Sequence, residues 1–170
     1  MSKTLVIVRH AKSSWSDPVL ADFERPLNRR GERDAPRMAQ RLADLGANPD
    51  TIISSPANRA LTTARTFATT LGVDTTSIEP DERLYLASSD TLFAIVREQP
   101  ASVACLMIFG HNPGMTEFVN RLGNCDIDNL PTCAYAVFTI AADDWQSVRD
   151  GGAVLDVFDF PKNRAAAASR

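Results

Sequence analysis

Leu5-Val6-Ile7-Val8 is apolar at every position and runs straight into Arg9 and His10. A strand with one wet face alternates apolar and polar residues. A continuous apolar run reads instead as a strand buried on both faces, hence a mostly parallel sheet with helices on each side. In open α/β sheets, ligands bind just beyond the carboxyl ends of the strands. Arg9 and His10 stand at that end. Alone, the dipeptide serves equally well as polar punctuation closing a strand. A second run, Val103 to Phe109, ends the same way in Gly110-His111.

The remaining pattern fits that architecture. A polar loop, Lys12 to Leu27, follows the first strand; such a loop beside a strand end usually frames a site. Asn28 is placed to cap a helix reaching about Leu45, with Met38 and Leu42 on one face and Gly46 closing it. Pro36 is expected to kink it or to open a second piece capped by Asp34. Thr51 to Ser54 is a short strand. Ser55 followed by Pro56 predicts a helix start there, with Leu61, Ala64, Phe67, Ala68 and Leu71 as the buried stripe and Gly72 as the stop. Arg59 falls in its first turn, a poor place for a cation unless an anion docks there.

A short strand near Ser77 to Glu79 and a helix capped by Asp90 come next. A further helix spans about Pro113 to Leu122, closed by Gly123. Two last strands, near Ala134 to Ile140 and Ala153 to Phe160, predict an antiparallel pair at the sheet edge. The expected fold is a three-layer α/β/α domain over 1–162, with a short Ala-rich tail, 163–170, expected to be frayed.

Composition narrows the function. The 170 residues suit one domain, and 44% hydrophobic residues supply a core. A net charge of -3 and a pI near 5.3 argue against a nucleic-acid partner. No run is long enough to span a membrane, and Met1-Ser2-Lys3-Thr4 leads straight into a strand, so neither a membrane partner nor a secretory signal is expected. Cys105, Cys125 and Cys133 lack metal-site spacing and read as reduced thiols of a cytoplasmic protein, Cys105 as a small core residue. Neither a metal nor another cofactor is expected.

Two histidines and two arginines at strand ends and a helix start suit phosphoryl chemistry. Arginines hold phosphoryl oxygens with several donors and stay charged. A neutral imidazole can take the group as a covalent phosphoramidate. A second imidazole can donate to an equatorial oxygen.

At these residues a family resemblance becomes specific. Val8-Arg9-His10-Ala11, Ser54-Ser55-Pro56-Ala57-Asn58-Arg59-Ala60 and Gly110-His111-Asn112-Pro113 resemble, in order and interval, three signature segments of the histidine phosphatase superfamily, the phosphoglycerate-mutase-like fold. The small size and Arg9 to Trp15 resemble its SixA-type phosphohistidine phosphatases. The resemblance implies His10 as nucleophile, with Arg9, Arg59 and His111 completing the phosphate pocket. It implies Arg25, in Arg25-Pro26-Leu27, as a further pocket arginine. Many members carry glycine where this chain has Ala11. Larger members place a glutamate where Glu82 falls, which makes Glu82 a candidate proton donor, with surface pairing as its other reading; Asp17 is a weaker candidate.

The expected function is hydrolysis of a phosphoryl group through phospho-His10, with protein phosphohistidine as substrate and inorganic phosphate as product. The flanking segments, Lys12 to Leu27 and Pro80 to Ser89, are too short to cap a small metabolite. The alternatives are a phosphatase for small phosphomonoesters and a phosphate-binding regulatory protein without turnover. Arginines alone would suffice for the latter, without an imidazole at position 10.

Overall fold

The computed structural model describes residues 1–164. Its strands are β1 (Lys3–Arg9), β2 (Thr51–Ser54), β3 (Glu79–Pro80), β4 (Cys105–Gly110), β5 (Tyr135–Ile140) and β6 (Ala153–Asp159). They form one sheet in the order β3-β2-β4-β1-β5-β6. The first four strands in that order are mutually parallel; β5 runs antiparallel to β1, and β6 to β5. This is the expected mostly parallel sheet with an antiparallel edge. The helices are α1 (Arg29–Asp44), α2 (Asn58–Thr70), α3 (Ser89–Arg97) and α4 (Gly114–Gly123).

The continuous apolar run of β1 serves both faces. Leu5 and Ile7 join Ile108, Phe93 and Phe118 on the side of α3 and α4. Val6 and Val8 join Met107, Phe109, Met38, Leu42 and Phe67 on the side of α1 and α2. All four β1 residues are at most 1% exposed. At about 1.5–3 kcal/mol for each large apolar side chain buried, these two layers are the main force holding the sheet between its helices.

Several helix boundaries differ from expectation, each for a local reason. Asn28 caps α1 as predicted, its side chain accepting from the Gly31 N–H at 2.8 Å. The helix then runs through Pro36 as one element, because Ala35, Met38, Ala39 and Leu42 on both sides of it are buried together. Burial of that stripe outweighs the cost of about 3 kcal/mol for an interior proline. α2 begins at Asn58, not at Pro56; Ala57 is its N-cap residue, without a side-chain cap, and the Ser55 hydroxyl serves the turn before it by accepting from the Ala57 N–H at 3.2 Å. Ser88, not Asp90, caps α3 by accepting from the Thr91 N–H at 3.2 Å; Asp90 pairs with Arg121 instead.

Residues 75–77 form a 3-10 turn, and the edge strand begins only at Glu79. Gly123 is the last residue of α4; Asn124 takes the left-handed turn, with φ +50°. Cys105 is half-buried at the start of β4, and Cys133 is the cysteine in the core. In the expected tail, Asn163 is tied by its side chain to Asp159 at 3.1 Å; 165–170 lie outside the described residues.

Candidate active site

Register brings the two histidines together. Arg9 of β1 pairs with Gly110 of β4, so the residues that follow, His10 and His111, leave adjacent strands side by side. The His10 N–H donates to the Gly110 carbonyl at 3.1 Å, and the ring centroids lie 5.1 Å apart. Both rings are nearly enclosed, at 6% and 3% exposure. Beside them opens a cavity of about 210 Å3, lined among others by Arg9, His10, Arg25, Arg59 and His111. Five side chains scattered over a hundred residues of sequence therefore share one wall.

The His10 tautomer follows from its neighbour. Nδ1 lies 2.7 Å from the Ala11 carbonyl, which can only accept. Nδ1 therefore carries the proton, and Nε2 keeps its lone pair. Burial lowers the His10 pKa to about 4; the charges of Arg59, Arg9 and Arg25 add to that, against the Ala11 hydrogen bond, which raises it. Burial, then the charges of His10 and Arg59, lowers His111 to about 3. Both rings are neutral at pH 7. The loop after His10 is fixed by α2: Thr63 Oγ1 accepts from the Ala11 N–H at 3.0 Å while donating to the Arg59 carbonyl at 2.7 Å.

The arginines are held by partners that the sequence did not announce. Asp22, in the 3-10 turn Asp22–Glu24, takes Nη2 of Arg59 on its carboxylate at 2.9 Å and Nη1 on its carbonyl at 2.6 Å. The same carboxylate accepts from Arg25 Nη2 at 3.0 Å and from the Tyr85 hydroxyl at 2.5 Å. Partial burial pushes the Asp22 carboxyl up, but the bonds from Tyr85 and Arg59 and the Arg59 charge outweigh it and hold the pKa at about 2. Arg25 also donates to Ser13 Oγ at 2.7 Å and lies under the Trp15 ring, 3.5 Å from its centroid. Arg9 Nη1 donates to the Leu130 carbonyl at 2.8 Å.

Glu82 is not brought to this cavity. It opens the turn Glu82–Leu84 with its side chain exposed, and its neighbour Arg83 pairs with Asp81 and Glu98. Asp17 is exposed and accepts from the Val19 N–H. Among the described residues, no carboxylate lines the cavity. Asp22, Tyr85 and the role of Ser55 escaped sequence reasoning. Asp22 and Tyr85 lie in loops where no period marks them. Ser55 stood inside a recognised segment, but read as a helix cap.

One feature of the charge arrangement points to an anion. Among the described residues, the buried side-chain nitrogens without a hydrogen-bond partner are Arg9 Nε, Arg59 Nε and His111 Nδ1. All three belong to the wall of this cavity. A buried donor or acceptor left unpaired costs about 1–3 kcal/mol. Three such groups around one opening are the mark of a site built for a polyanionic guest.

Comparison with known proteins agrees. The sequence pattern of the Histidine phosphatase superfamily (branch 1) matches residues 5–85. An uncharacterized chloroplastic protein of Arabidopsis thaliana is 32% identical over 154 residues, 86% of this chain and 70% of that protein. An uncharacterized protein of Mycobacterium tuberculosis is 32% identical over 166 residues, 91% of this chain and all of that protein. The structure of SixA from Agrobacterium tumefaciens superposes with a TM-score of 0.78 at 28% identity, covering 94% of this chain and 98% of that one. The protein histidine phosphatase SixA complexed with tungstate shares the fold, with a TM-score of 0.76 at 23% identity, covering 95% and 99%. The chain belongs to the histidine phosphatase superfamily, and as a member it is a metal-independent phosphatase. Within that superfamily it is of the SixA type.

Proposed function

We propose that the protein hydrolyses phosphohistidine on other proteins through a phosphoryl-enzyme intermediate on His10. The observation that carries this reading is the pairing of a neutral His10, its Nε2 lone pair free, with the unpaired nitrogens of Arg9, Arg59 and His111 around one small cavity. Nε2 attacks phosphorus; the new P–N bond forms as the bond to the leaving imidazole breaks. The arginines and His111 hold the equatorial oxygens, where charge is spread in the transition state. Water then attacks phosphorus, the P–Nε2 bond breaks, and inorganic phosphate leaves with His10 neutral again.

The choice of substrate rests on the missing acid. An alkyl ester needs a proton delivered to its leaving oxygen. Among the described residues, the cavity wall holds no carboxylic acid, and Asp22 beside it is ionised at neutral pH. A phosphohistidine leaving group needs less help, because an imidazole with an ordinary pKa near 6.5 can arrive already protonated. The opening suits a protein partner as well. Trp15 (73% exposed) and Leu86 (56%) stand on its rim, and Phe23 packs edge-on against Tyr85 nearby. Exposed apolar groups around a polar pocket are what a macromolecular partner covers. The same reading places the protein in the cytoplasm, in keeping with three free cysteines.

The test compares kcat/KM for a phosphohistidine-bearing protein, an aryl phosphate and sugar phosphates, with His10→Ala as control. Phosphohistidine is expected to lead, with acid-labile, base-stable label trapped on the wild-type chain and absent from the variant. A small ester turned over orders of magnitude faster than every phosphohistidine tried would overturn the substrate assignment. Equal label on the variant would overturn the nucleophile.

A further inference from the structure

Ser55 lies between β2 and α2, completely buried, with its backbone N–H bound to the Phe109 carbonyl of β4 at 2.9 Å. Its hydroxyl oxygen accepts from the Ala57 N–H at 3.2 Å and lies 2.8 Å from His111 Nε2. A hydroxyl has one hydrogen to give. The Ala57 amide is itself a donor, so among the described residues the hydrogen of Ser55 has one acceptor within reach, Nε2 of His111. Were Nε2 protonated instead, two donors would point at Oγ and the hydroxyl hydrogen would be buried without a partner, at a cost of about 1–3 kcal/mol. The satisfied arrangement has Ser55 donating to a bare Nε2, which puts the proton of the neutral His111 ring on Nδ1. That atom is buried and has no partner among the described residues, while the ring lines the cavity.

We propose that Ser55 is a positioning residue: its hydroxyl locks His111 in the Nδ1–H tautomer, so that the free N–H serves as a donor to the phosphoryl group. The assignment deepens the phosphatase reading and rests on it for the role of Nδ1–H. The opposite tautomer would present a lone pair to phosphoryl oxygens, repelling the group it should hold.

The chain has two histidines, which makes the tautomer directly readable. In protein labelled with 15N-histidine, His10→Gln leaves one imidazole and assigns the wild-type resonances. At pH 7, without substrate, wild-type His111 is expected to show a protonated Nδ1 and a bare Nε2. Ser55→Ala should release the lock, so that both tautomers populate. Its kcat should fall about tenfold or more, toward the loss seen when a transition-state donor is removed, while KM changes little. Ser55→Thr, which keeps the hydroxyl, should restore the tautomer and most of kcat. A helix-start role alone would alter stability without moving the ring nitrogens.

Protonated Nε2 in wild-type His111 overturns the proposal, and so does a Ser55→Ala protein that keeps both tautomer and kcat. If Ser55→Ala does not fold, the wild-type spectrum decides. The tautomer is read without turnover, so the Ser55 assignment stands or falls on it even where turnover, and with it the phosphatase reading, fails.

Discussion

His10 and Arg59 show how single residues are made competent by neighbours. The Ala11 carbonyl fixes which His10 nitrogen is bare. Asp22 spreads the Arg59 fork across a carbonyl and a carboxylate, so a planar group with several donors is required there. Arg59 is 3% exposed. Arg59→Lys keeps the charge but has no second arm for Asp22 and no planar edge for the anion. Turnover should fall about 10–100-fold, the cost of roughly 1.4–2.7 kcal/mol of lost transition-state contact. Steady-state kinetics beside a thermal melt checks it: near-normal kcat/KM would place Arg59 outside the working pocket.

At the scale of elements, the site depends on close approaches between a helix start and the loop it supports. The first turn of α1 lies against the backbone after His10. A Cβ on Gly31 would stand 2.1 Å from the Lys12 carbonyl oxygen, which also accepts from the Asn28 N–H at 2.9 Å. Gly31→Ala must push α1 and the Lys12 loop apart. It should destabilise by about 1–3 kcal/mol, as overpacking does, and lower activity, because Ser13 and its Arg25 contact ride on that loop. Gly46 is the contrast: its φ is +82° with open space around it, so Gly46→Ala should cost only about 1 kcal/mol in backbone strain and leave kcat alone. Urea midpoints and kcat for the two variants separate the mechanisms.

Over the whole molecule, two neutral histidines enclosed among arginines make stability depend on pH. Their folded pKa values, about 4 for His10 and about 3 for His111, lie below the ordinary value of 6.5. The unfolded chain therefore binds more protons than the folded one as pH falls below 6.5. Their contribution is fully present above pH 6.5 and is lost as pH falls through about 4 and then 3. Urea midpoints should drop between pH 6.5 and pH 3, and less so in His10→Gln. Turnover of an aryl phosphate should persist well below pH 6.5, since His10 stays neutral. A profile that falls away at the ordinary imidazole pKa would mean His10 is more open to water than its 6% exposure indicates. Excess chelator should leave turnover unchanged.

Some of this was written in local sequence. A run apolar at every position has no wet face, so Leu5 to Val8 determined a buried strand and the side of the sheet where Arg9 and His10 would emerge. Gly46 and Gly72 marked helix ends because both take positive φ. The segments around His10, Arg59 and His111 carried the family and its phosphate-pocket candidates. What tertiary structure alone decided is who holds those residues. The β1/β4 register sets His10 beside His111. Asp22 reaches Arg59 across 37 positions and Tyr85 across 63. Ser55 meets an imidazole 56 residues away. Glu82, placed by analogy of position, ends on the surface. Periodicity and turn chemistry act over a few residues, whereas a hydrogen bond is settled by which groups the packed sheet and helices leave within 3 Å of each other, and no local pattern encodes that.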